Sequence, residues 1–160
     1  MHVVVKNLQS IRGESCWEDF IAELNTCNFD VLLICETWRG ERDASFIMEK
    51  GHHVYFSGGA SHQGVGICIS ATFVSQISHM SFHAYSKRIC SLHFSMASRR
   101  FRVFSVYFPM AWDEDGAVEQ MYDVLNLVVN ACVEAGDIPI VGGDFNACIG
   151  PMDSDDLTFW

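Results

Sequence analysis

The sequence lacks any long hydrophobic run, and it has few positive charges. Its longest apolar segments, such as residues 31–35, fall far short of the roughly 20 residues that span a membrane, and no apolar signal segment opens the chain. Ten lysine and arginine residues face 20 acidic residues, which gives a formal charge of −10. Proteins that hold nucleic acid by charge alone are usually basic. DNA binding would therefore need a divalent cation or a more basic neighbouring region.

The sequence also lacks any pair of cysteines with Cys-x-x-Cys spacing, although it has seven cysteines. This argues against a zinc ribbon and against a thioredoxin-like motif. Several of the cysteines lie in apolar runs, where a free thiol behaves as a small hydrophobic group. Scattered free cysteines favour a reducing compartment. We therefore expect a soluble intracellular protein without a membrane partner, and no basic import tract distinguishes nucleus from cytoplasm.

What is present is a globular composition with two hydrophobic periods. At 160 residues, with 49% hydrophobic and 19% charged residues, the chain fits a single domain over 1–160. Alternating and helical periods predict an α/β fold in which a mixed sheet is flanked by at least two helices. The predicted strands are 2–7, 30–36, 52–57, 65–70, 72–78, 88–96, 101–108 and 138–142, and the predicted helices are 15–24, opened by a capping box, and 116–135, followed by Gly136.

Residues 37–50 are predicted as a loop with a short helix. Each long helix has one apolar face, so the second face of the sheet needs a cover that the sequence does not obviously supply. Arg99, Arg100 and Arg102 follow a short turn, and we interpret them as solvated loop charges.

Polar side chains stand where the apolar strands end. Asn7 ends the first strand, Glu36 the second and Tyr107 a third, and the last strand runs through a glycine-opened loop into Asp144 and Asn146. Any one of these residues alone is more often a turn-former. Five together indicate a site, because loops at strand ends are free to converge on a ligand.

These residues occur in motifs that resemble the endonuclease/exonuclease/phosphatase superfamily, which has a deoxyribonuclease-I-like fold. The resemblance is greatest to the apurinic/apyrimidinic-type endonuclease domain of non-long-terminal-repeat retrotransposons and to craniofacial-development-protein-like relatives. The motifs are Lys-Asn-Leu-Gln-Ser-Ile-Arg at 6–12, Ile-Cys-Glu-Thr-Trp at 34–38, Gly-Val-Gly-Ile at 64–67, Ser-Lys-Arg-Ile at 86–89, Val-Tyr-Phe-Pro at 106–109 and Gly-Asp-Phe-Asn-Ala at 143–147.

The resemblance implies a Mg²⁺- or Mn²⁺-dependent phosphodiesterase acting on DNA, with roles for five residues. Glu36 would bind the metal, with Asn7 as a nearby or direct oxygen donor. Tyr107 would contact the scissile phosphate or the developing negative charge. Asp144 would orient or deprotonate the attacking water, and Asn146 would donate to a phosphate oxygen.

Two further positions carry less specific expectations. Gln9 stands where many relatives have Asp or Asn, which weakens the case for a metal ligand there. Arg88 has two equally supported interpretations: it contacts a substrate phosphate, or it is a structural partner at the start of a strand.

The resemblance also implies a four-layer sandwich of which this chain supplies the N-terminal portion, with the second sheet largely missing. The family's Ser-Asp-His segment has no match here, and no histidine follows His93. Loss of a general base costs on the order of 10²–10⁴-fold in rate. We expect exposed apolar surface, with self-association or a partner covering it. Three functions remain open: an impaired DNA endonuclease, an inactive metal- or phosphate-binding remnant, and a phosphodiesterase or phosphatase acting on phospholipid or inositol phosphate.

Overall fold

The computed structural model describes residues 1–40, 43–59, 63–110 and 115–147. These residues form nine strands and three helices. The strands are β1 (Val3–Asn7), β2 (Val31–Cys35), β3 (Ala44–Ile47), β4 (His53–Phe56), β5 (Val65–Ile69), β6 (Ser78–Ala84), β7 (Ile89–Met96), β8 (Arg99–Tyr107) and β9 (Ile138–Asp144). The helices are α1 (Glu14–Leu24), α2 (Ala71–Val74) and α3 (Ala117–Glu134).

The strands are divided between two mixed sheets. The first sheet has the order β1-β2-β5-β4-β3, and the second has the order β6-β7-β8-β9. β1 pairs in parallel with β2, and β9 pairs in parallel with β8, whereas the other neighbours are antiparallel. The α/β fold class is confirmed, and the second sheet is present in part, as four strands.

The two sheets pack face to face, so the expectation of one sheet with an uncovered face is wrong. The central strand β2 shows that both faces of the first sheet are covered, because alternate side chains point to opposite faces of a strand. Val31, Leu33 and Cys35 belong to the core between the sheets, whereas Leu32 and Ile34 belong to the core beneath α1. The second sheet is thus the cover that the first one needs. Hydrophobic periodicity reports that a strand is buried on both faces, but not what buries it.

Helices complete the outer layers. α1 places Phe20 and Leu24 on the outer face of the first sheet. α3 places one apolar stripe, which includes Leu125 and Val128, on the outer face of the second sheet. The layer order is therefore helix, sheet, sheet, helix. None of the helices in the described ranges is long and apolar enough to cross a membrane.

Three local predictions are wrong, and each has a physical reason. α1 begins at Glu14, with Gly13 rather than the predicted capping box at its N-cap, and no side chain caps it. The segment predicted as a strand at 72–78 contains α2, whose first turn is fixed by the Ser70 side chain accepting from the Phe73 amide. The segment 37–50 contains strand β3 instead of a helix. Gly136 follows the end of α3 in a left-handed conformation (φ 78°), as its position predicts.

Two of the three arginines predicted to be solvated, Arg100 and Arg102, instead pair with a buried carboxylate. Asp137 precedes β9, and its side chain is 2% exposed. Arg102 Nη2 lies 2.9 Å from Asp137 Oδ2, and Arg100 Nε lies 3.0 Å from Oδ1. Arg100 also donates to the carbonyl of Ala135 at the end of α3. This Asp137 cluster ties the β7–β8 hairpin to the entrance of β9.

β1 and β9 are edge strands of their sheets, and they lie against each other. Each has a hydrogen-bonded neighbour on one side only among the described strands. Apolar side chains are partly exposed along them, including Val5, Ile138 and Val141. Some apolar surface is therefore exposed, as expected, and self-association stays a prediction.

Candidate active site

The parallel pairings bring four strand ends to one edge of the sandwich. Asn7 pairs with Cys35 at the ends of β1 and β2, and Tyr107 pairs with Asp144 at the ends of β8 and β9. Because β1 lies against β9, the ends from the two sheets meet. The five residues named from the sequence are thus gathered at one end of the molecule.

The amide of Asn7 lies between two carboxylates. Its Nδ2 donates to Glu36 Oε1 over 2.7 Å and to Asp144 Oδ2 over 3.0 Å. Its Oδ1 is turned away and accepts from the Gln9 backbone amide at 3.0 Å. In this orientation Asn7 is a donor that aligns two carboxylates rather than an oxygen ligand. It also joins the two sheets, because Glu36 follows β2 of the first sheet and Asp144 ends β9 of the second.

Two glycines before Asp144 permit this meeting. A Cβ on Gly143 would lie 1.9 Å from the Val106 carbonyl oxygen, so a side chain would push β9 off β8. A Cβ on Gly142 would lie 2.7 Å from Leu33 Cδ1 and 3.1 Å from Val5 Cγ2, so a side chain there would force these two side chains of the first sheet to shift. The sequence interpretation of a glycine-opened loop is therefore corrected. Both glycines are part of β9, which continues to Asp144, and they allow close approach of neighbouring strands.

Tyr107 lies between Glu36 and Asn146 in the site. The residue is 2% exposed, and its hydroxyl interacts with the side chains of Glu36 and Asn146. Burial, together with the negative charge of Glu36, raises the pKa of Tyr107 above its usual value near 10. The phenol therefore keeps its proton at neutral pH and is a hydrogen-bond donor.

Asn146 is fixed by two hydrogen bonds. Its backbone amide donates to Asp144 Oδ1 at 2.9 Å, which closes an Asx-type turn, and its Nδ2 donates to the Phe108 carbonyl at 2.7 Å. The Asp144 carbonyl in turn accepts from the Phe108 amide at 2.8 Å. These bonds hold the loop after β9 against the loop after β8. An amide nitrogen carries two protons, so Asn146 can bind the Phe108 carbonyl with one and interact with the Tyr107 hydroxyl with the other.

Arg88 and Gln9 take different positions. The Arg88 guanidinium lies over the Tyr107 ring, with Cζ 5.0 Å from the ring centroid, and Nη1 lies 3.5 Å from the Tyr107 carbonyl oxygen. Arg88 is thus a partner of Tyr107 beside the site, and both interpretations of its role remain compatible with this position. Gln9 is exposed and contributes its backbone amide to Asn7.

Two buried residues beneath the site were not singled out from the sequence. Ser105 Oγ donates to the Ile34 carbonyl at 3.0 Å, and Cys35 Sγ donates to the Val106 carbonyl at 3.1 Å. These bonds cross from one sheet to the other, one residue or two before Glu36 and Tyr107. A lone serine within an otherwise apolar strand was the available signal, because a buried hydroxyl needs a partner.

Backbone strain is concentrated around the same strand ends. Positive φ angles occur at Gln9 (51°), Ser10 (101°), Glu36 (55°), Trp38 (51°) and Asn146 (46°). A residue with a Cβ in this region typically costs on the order of 1–2 kcal/mol. The surrounding hydrogen bonds must outweigh that cost. Strain of this kind is often found where side chains are aimed at a ligand.

The donor set fits a hard divalent cation held by few protein ligands. Two carboxylates, those of Glu36 and Asp144, accept from a single amide nitrogen and so lie side by side. Their mutual repulsion is relieved when a cation binds between them. Within the described ranges no group of three or more His, Cys, Asp or Glu residues could hold a metal. One or two carboxylates with several waters is the usual environment of Mg²⁺, whereas zinc requires more protein ligands.

Comparison with known proteins identifies the family. The model of the endonuclease/exonuclease/phosphatase family matches residues 7–159 of this sequence, nearly its whole length. The chain belongs to this family. The matched range starts at Asn7 and includes each of the strand-end residues described above.

Relatives and solved structures agree with this assignment. Craniofacial development protein 2 of Tragulus javanicus is 24% identical over 137 residues, which cover 85% of this chain and 23% of that protein. An AP endonuclease from Archaeoglobus fulgidus has a TM-score of 0.61 and 21% identity, covering 98% of this chain and 63% of that one. The endonuclease domain of TRAS1, a telomere-specific non-LTR retrotransposon, has a TM-score of 0.55 and 18% identity, covering 92% and 60%. The structures share the fold, and this chain spans less than two thirds of each of these relatives.

Proposed function

We propose that this chain carries the strand-end site of a divalent-cation-dependent phosphodiesterase that cleaves DNA, of the type found in retrotransposon endonucleases. The observation that supports this most is the Asn7 amide held between Glu36 and Asp144, beside the protonated Tyr107. Phosphoryl transfer requires a bound cation and donors that neutralise the charge on the equatorial phosphate oxygens. The two adjacent carboxylates suit the cation, and Tyr107 and Asn146 are the donors.

The carboxylate of Glu36, with Asp144 alongside, would hold Mg²⁺ or Mn²⁺. When bound, the ion would supply positive charge to a phosphate oxygen. The role of Asn7 is to fix the direction of both carboxylates. Because Asn7 comes from the first sheet and Asp144 from the second, this arrangement depends on correct packing between the sheets.

The remaining side chains would handle the phosphate and the proton. The Tyr107 hydroxyl and the second proton of Asn146 Nδ2 would exchange their present partners, Glu36 and the Tyr107 oxygen, for non-bridging phosphate oxygens. Asp144 would accept a proton from water as the water oxygen bonds to phosphorus. The phosphorus–oxygen bond on the opposite side breaks, and the leaving oxygen takes a proton from solvent water.

The similar proteins support DNA as the substrate and a retrotransposon lineage. The similar structures include an AP endonuclease and a retrotransposon endonuclease, although their low identities carry only the fold. The 24% identity to craniofacial development protein 2 supports the lineage that the sequence motifs indicate. A formal charge of −10 opposes DNA binding, so affinity should depend strongly on the divalent cation.

The decisive experiment is nicking of supercoiled plasmid by the purified chain in Mg²⁺, with EDTA and with Glu36→Ala and Asp144→Ala for comparison. Glu18→Ala is the matched control, since Glu18 is an exposed carboxylate on α1. Metal-dependent nicking by wild type and Glu18→Ala, lost in the two site variants, would support the proposal. Nicking that persists in the site variants would falsify it.

A second assay separates the two alternatives raised by the sequence. If the folded wild type nicks nothing yet binds Mg²⁺ and phosphate through Glu36, the chain is a binding module. If phosphate is released from inositol phosphates while plasmid stays intact, the substrate assignment is wrong although the site is right.

A further inference from the structure

A cavity of about 580 Å³ opens beside the proposed phosphodiesterase site. It lies between the β6–β7 turn and the N-terminal half of α3, and it borders the site through Arg88, which lies over the Tyr107 ring. Its volume is within the range of small-molecule sites, about 300–1,000 Å³. Nothing in the proposed phosphoryl-transfer chemistry uses this space.

The cavity is lined by both apolar and polar side chains. Met121, which is largely buried, and Val124, which is 41% exposed, give it an apolar floor. Gln63 and Gln120 also line it. Apolar surface is matched by the flat face of an aromatic ring, and side-chain amides offer paired donors and acceptors.

We infer that this cavity receives the nucleobase adjoining the scissile phosphate. A nucleobase combines an apolar face with an edge of alternating donors and acceptors, and glutamine is among the side chains that pair with such an edge. A lipid chain would fill the floor but leave the amides unpaired. A sugar phosphate without a base would leave the floor in contact with water. Arg88 is then the element that connects the base subsite to Tyr107.

This inference rests on the proposed function, which identifies the adjoining phosphate as the scissile one. Its test does not need catalysis. Binding is measured without Mg²⁺ in the Asp144→Asn chain, using dAMP, deoxyribose 5-phosphate, phosphotyrosine and inorganic phosphate as probes. The readout is the methyl NMR signal of Met121, assigned with Met121→Leu. We expect dAMP to shift this signal and to bind at least tenfold more tightly than deoxyribose 5-phosphate.

A pair of variants on α3 tests the location. Val124→Phe fills the cavity and should weaken dAMP binding at least tenfold, whereas Leu127→Phe, at a position that is 70% exposed outside the cavity, should leave it unchanged. Both positions are partly exposed, and circular dichroism checks that each variant folds. Equal binding of dAMP and deoxyribose 5-phosphate, stronger binding of phosphotyrosine, or equal effects of the two variants would overturn the inference. Plasmid nicking with no base dependence would leave the proposed function standing and the base subsite rejected.

Discussion

Strand β9 has a carboxylate at each end, and the two have opposite electrostatic surroundings. Asp137 precedes the strand, is almost fully buried, and has Arg100 and Arg102 within ion-pair distance. Asp144 ends the strand about 20 Å away, is half-buried, and shares an amide with a second carboxylate, Glu36. One carboxylate is compensated by positive charge, and the other is placed next to more negative charge.

The difference separates a structural site from a functional one. Breaking a buried, compensated pair leaves unpaired charge inside the protein, so the Asp137 cluster should matter for stability. The Glu36–Asp144 pair is tolerated only because hydrogen bonds hold it, so it should matter for binding a cation and contribute little to stability.

The largest effect should be on activity at the Asp144 end. Asp144→Asn keeps an oxygen for Asn7 but removes the proton acceptor, so nicking should fall on the order of 10²–10⁴-fold. Without metal, the melting temperature should change little, because the removal of one of two adjacent negative charges is offset by loss of the bond from the Asn146 amide to Asp144 Oδ1. Plasmid nicking and thermal unfolding of the same preparation test both statements. A substantial fall in melting temperature would show that this carboxylate is structural after all.

The next effect should be on stability at the Asp137 end. Asp137→Asn should cost about 3 kcal/mol, at the low end for broken buried pairs because the Arg100 side chain is 51% exposed. Urea unfolding gives the value, with the exposed Asp123→Asn on α3 as control, expected to change stability by less than about 0.5 kcal/mol. Nicking at a temperature where the variant is folded should equal that of wild type. Lost activity in a folded variant would break the comparison.

Alkaline pH should loosen the core beneath the site through Cys35. Burial raises the pKa of Cys35 from its ordinary value of 9.0 to about 11. The unfolded chain therefore loses this proton first, so the stabilisation is complete below pH 9 and is lost as pH rises towards 11. Two pKa units correspond to about 3 kcal/mol. Burial also raises the pKa of Cys68, Cys90 and Cys132. The test is therefore a smaller loss between pH 8 and 11 in Cys35→Ala than in wild type or in exposed Cys16→Ala.

Mg²⁺ should stabilise the chain through one end of β9 only. At ten times its Kd the ion should add about 1.4 kcal/mol to the free energy of unfolding, which is a rise of roughly 3–6 °C at this chain length. Asp137→Asn should keep this increment, and Glu36→Gln should lose it. Thermal unfolding at increasing Mg²⁺, with matched ionic strength in NaCl, measures both. An increment that survives Glu36→Gln would place the ion elsewhere.

The smallest effect concerns the bonds that join the sheets under the site. Ser105→Ala removes the hydrogen bond to the Ile34 carbonyl and should cost about 1 kcal/mol. Because that bond lies two residues before both Glu36 and Tyr107, kcat should fall several-fold with KM unchanged, and Ser105→Thr should restore part of it. A change in stability with normal kcat would limit Ser105 to a packing role.

The site was predictable from sequence to the extent that chemistry follows strand ends. Asn7, Glu36 and Asp144 each end or follow an apolar strand. Parallel pairing places Asn7 beside the end of β2, and the packing of β1 against β9 then brings Asp144 to them. The donor direction of the Asn7 amide was not predictable, because it depends on Asp144, which is 137 positions away. Periodicity describes a residue's own strand and is silent about such distant partners.

The same limit explains the errors in the fold. Periodicity located β7 and β8 within a residue or two, yet it did not divide the strands between two sheets. The Asp137 cluster was missed for a related reason: Arg102 alternates with apolar residues as any solvent-facing charge would, and its partner lies 35 residues later. Segment 72–78 was misassigned because local capping by Ser70 outweighed β-branched composition.

The positive φ angles around the strand ends carry a consequence for the history of such a sequence. Glycine at Glu36 would relieve both backbone strain and electrostatic repulsion, so the substitution should stabilise the fold while removing a proposed functional group. Natural proteins are rarely at their stability optimum where activity requires strain. A gene copy released from selection for activity would therefore meet no stability barrier to losing the Glu36 side chain. In a set of related copies, retention of Glu36 in its strained conformation would mark those still under selection for the chemistry rather than for the fold.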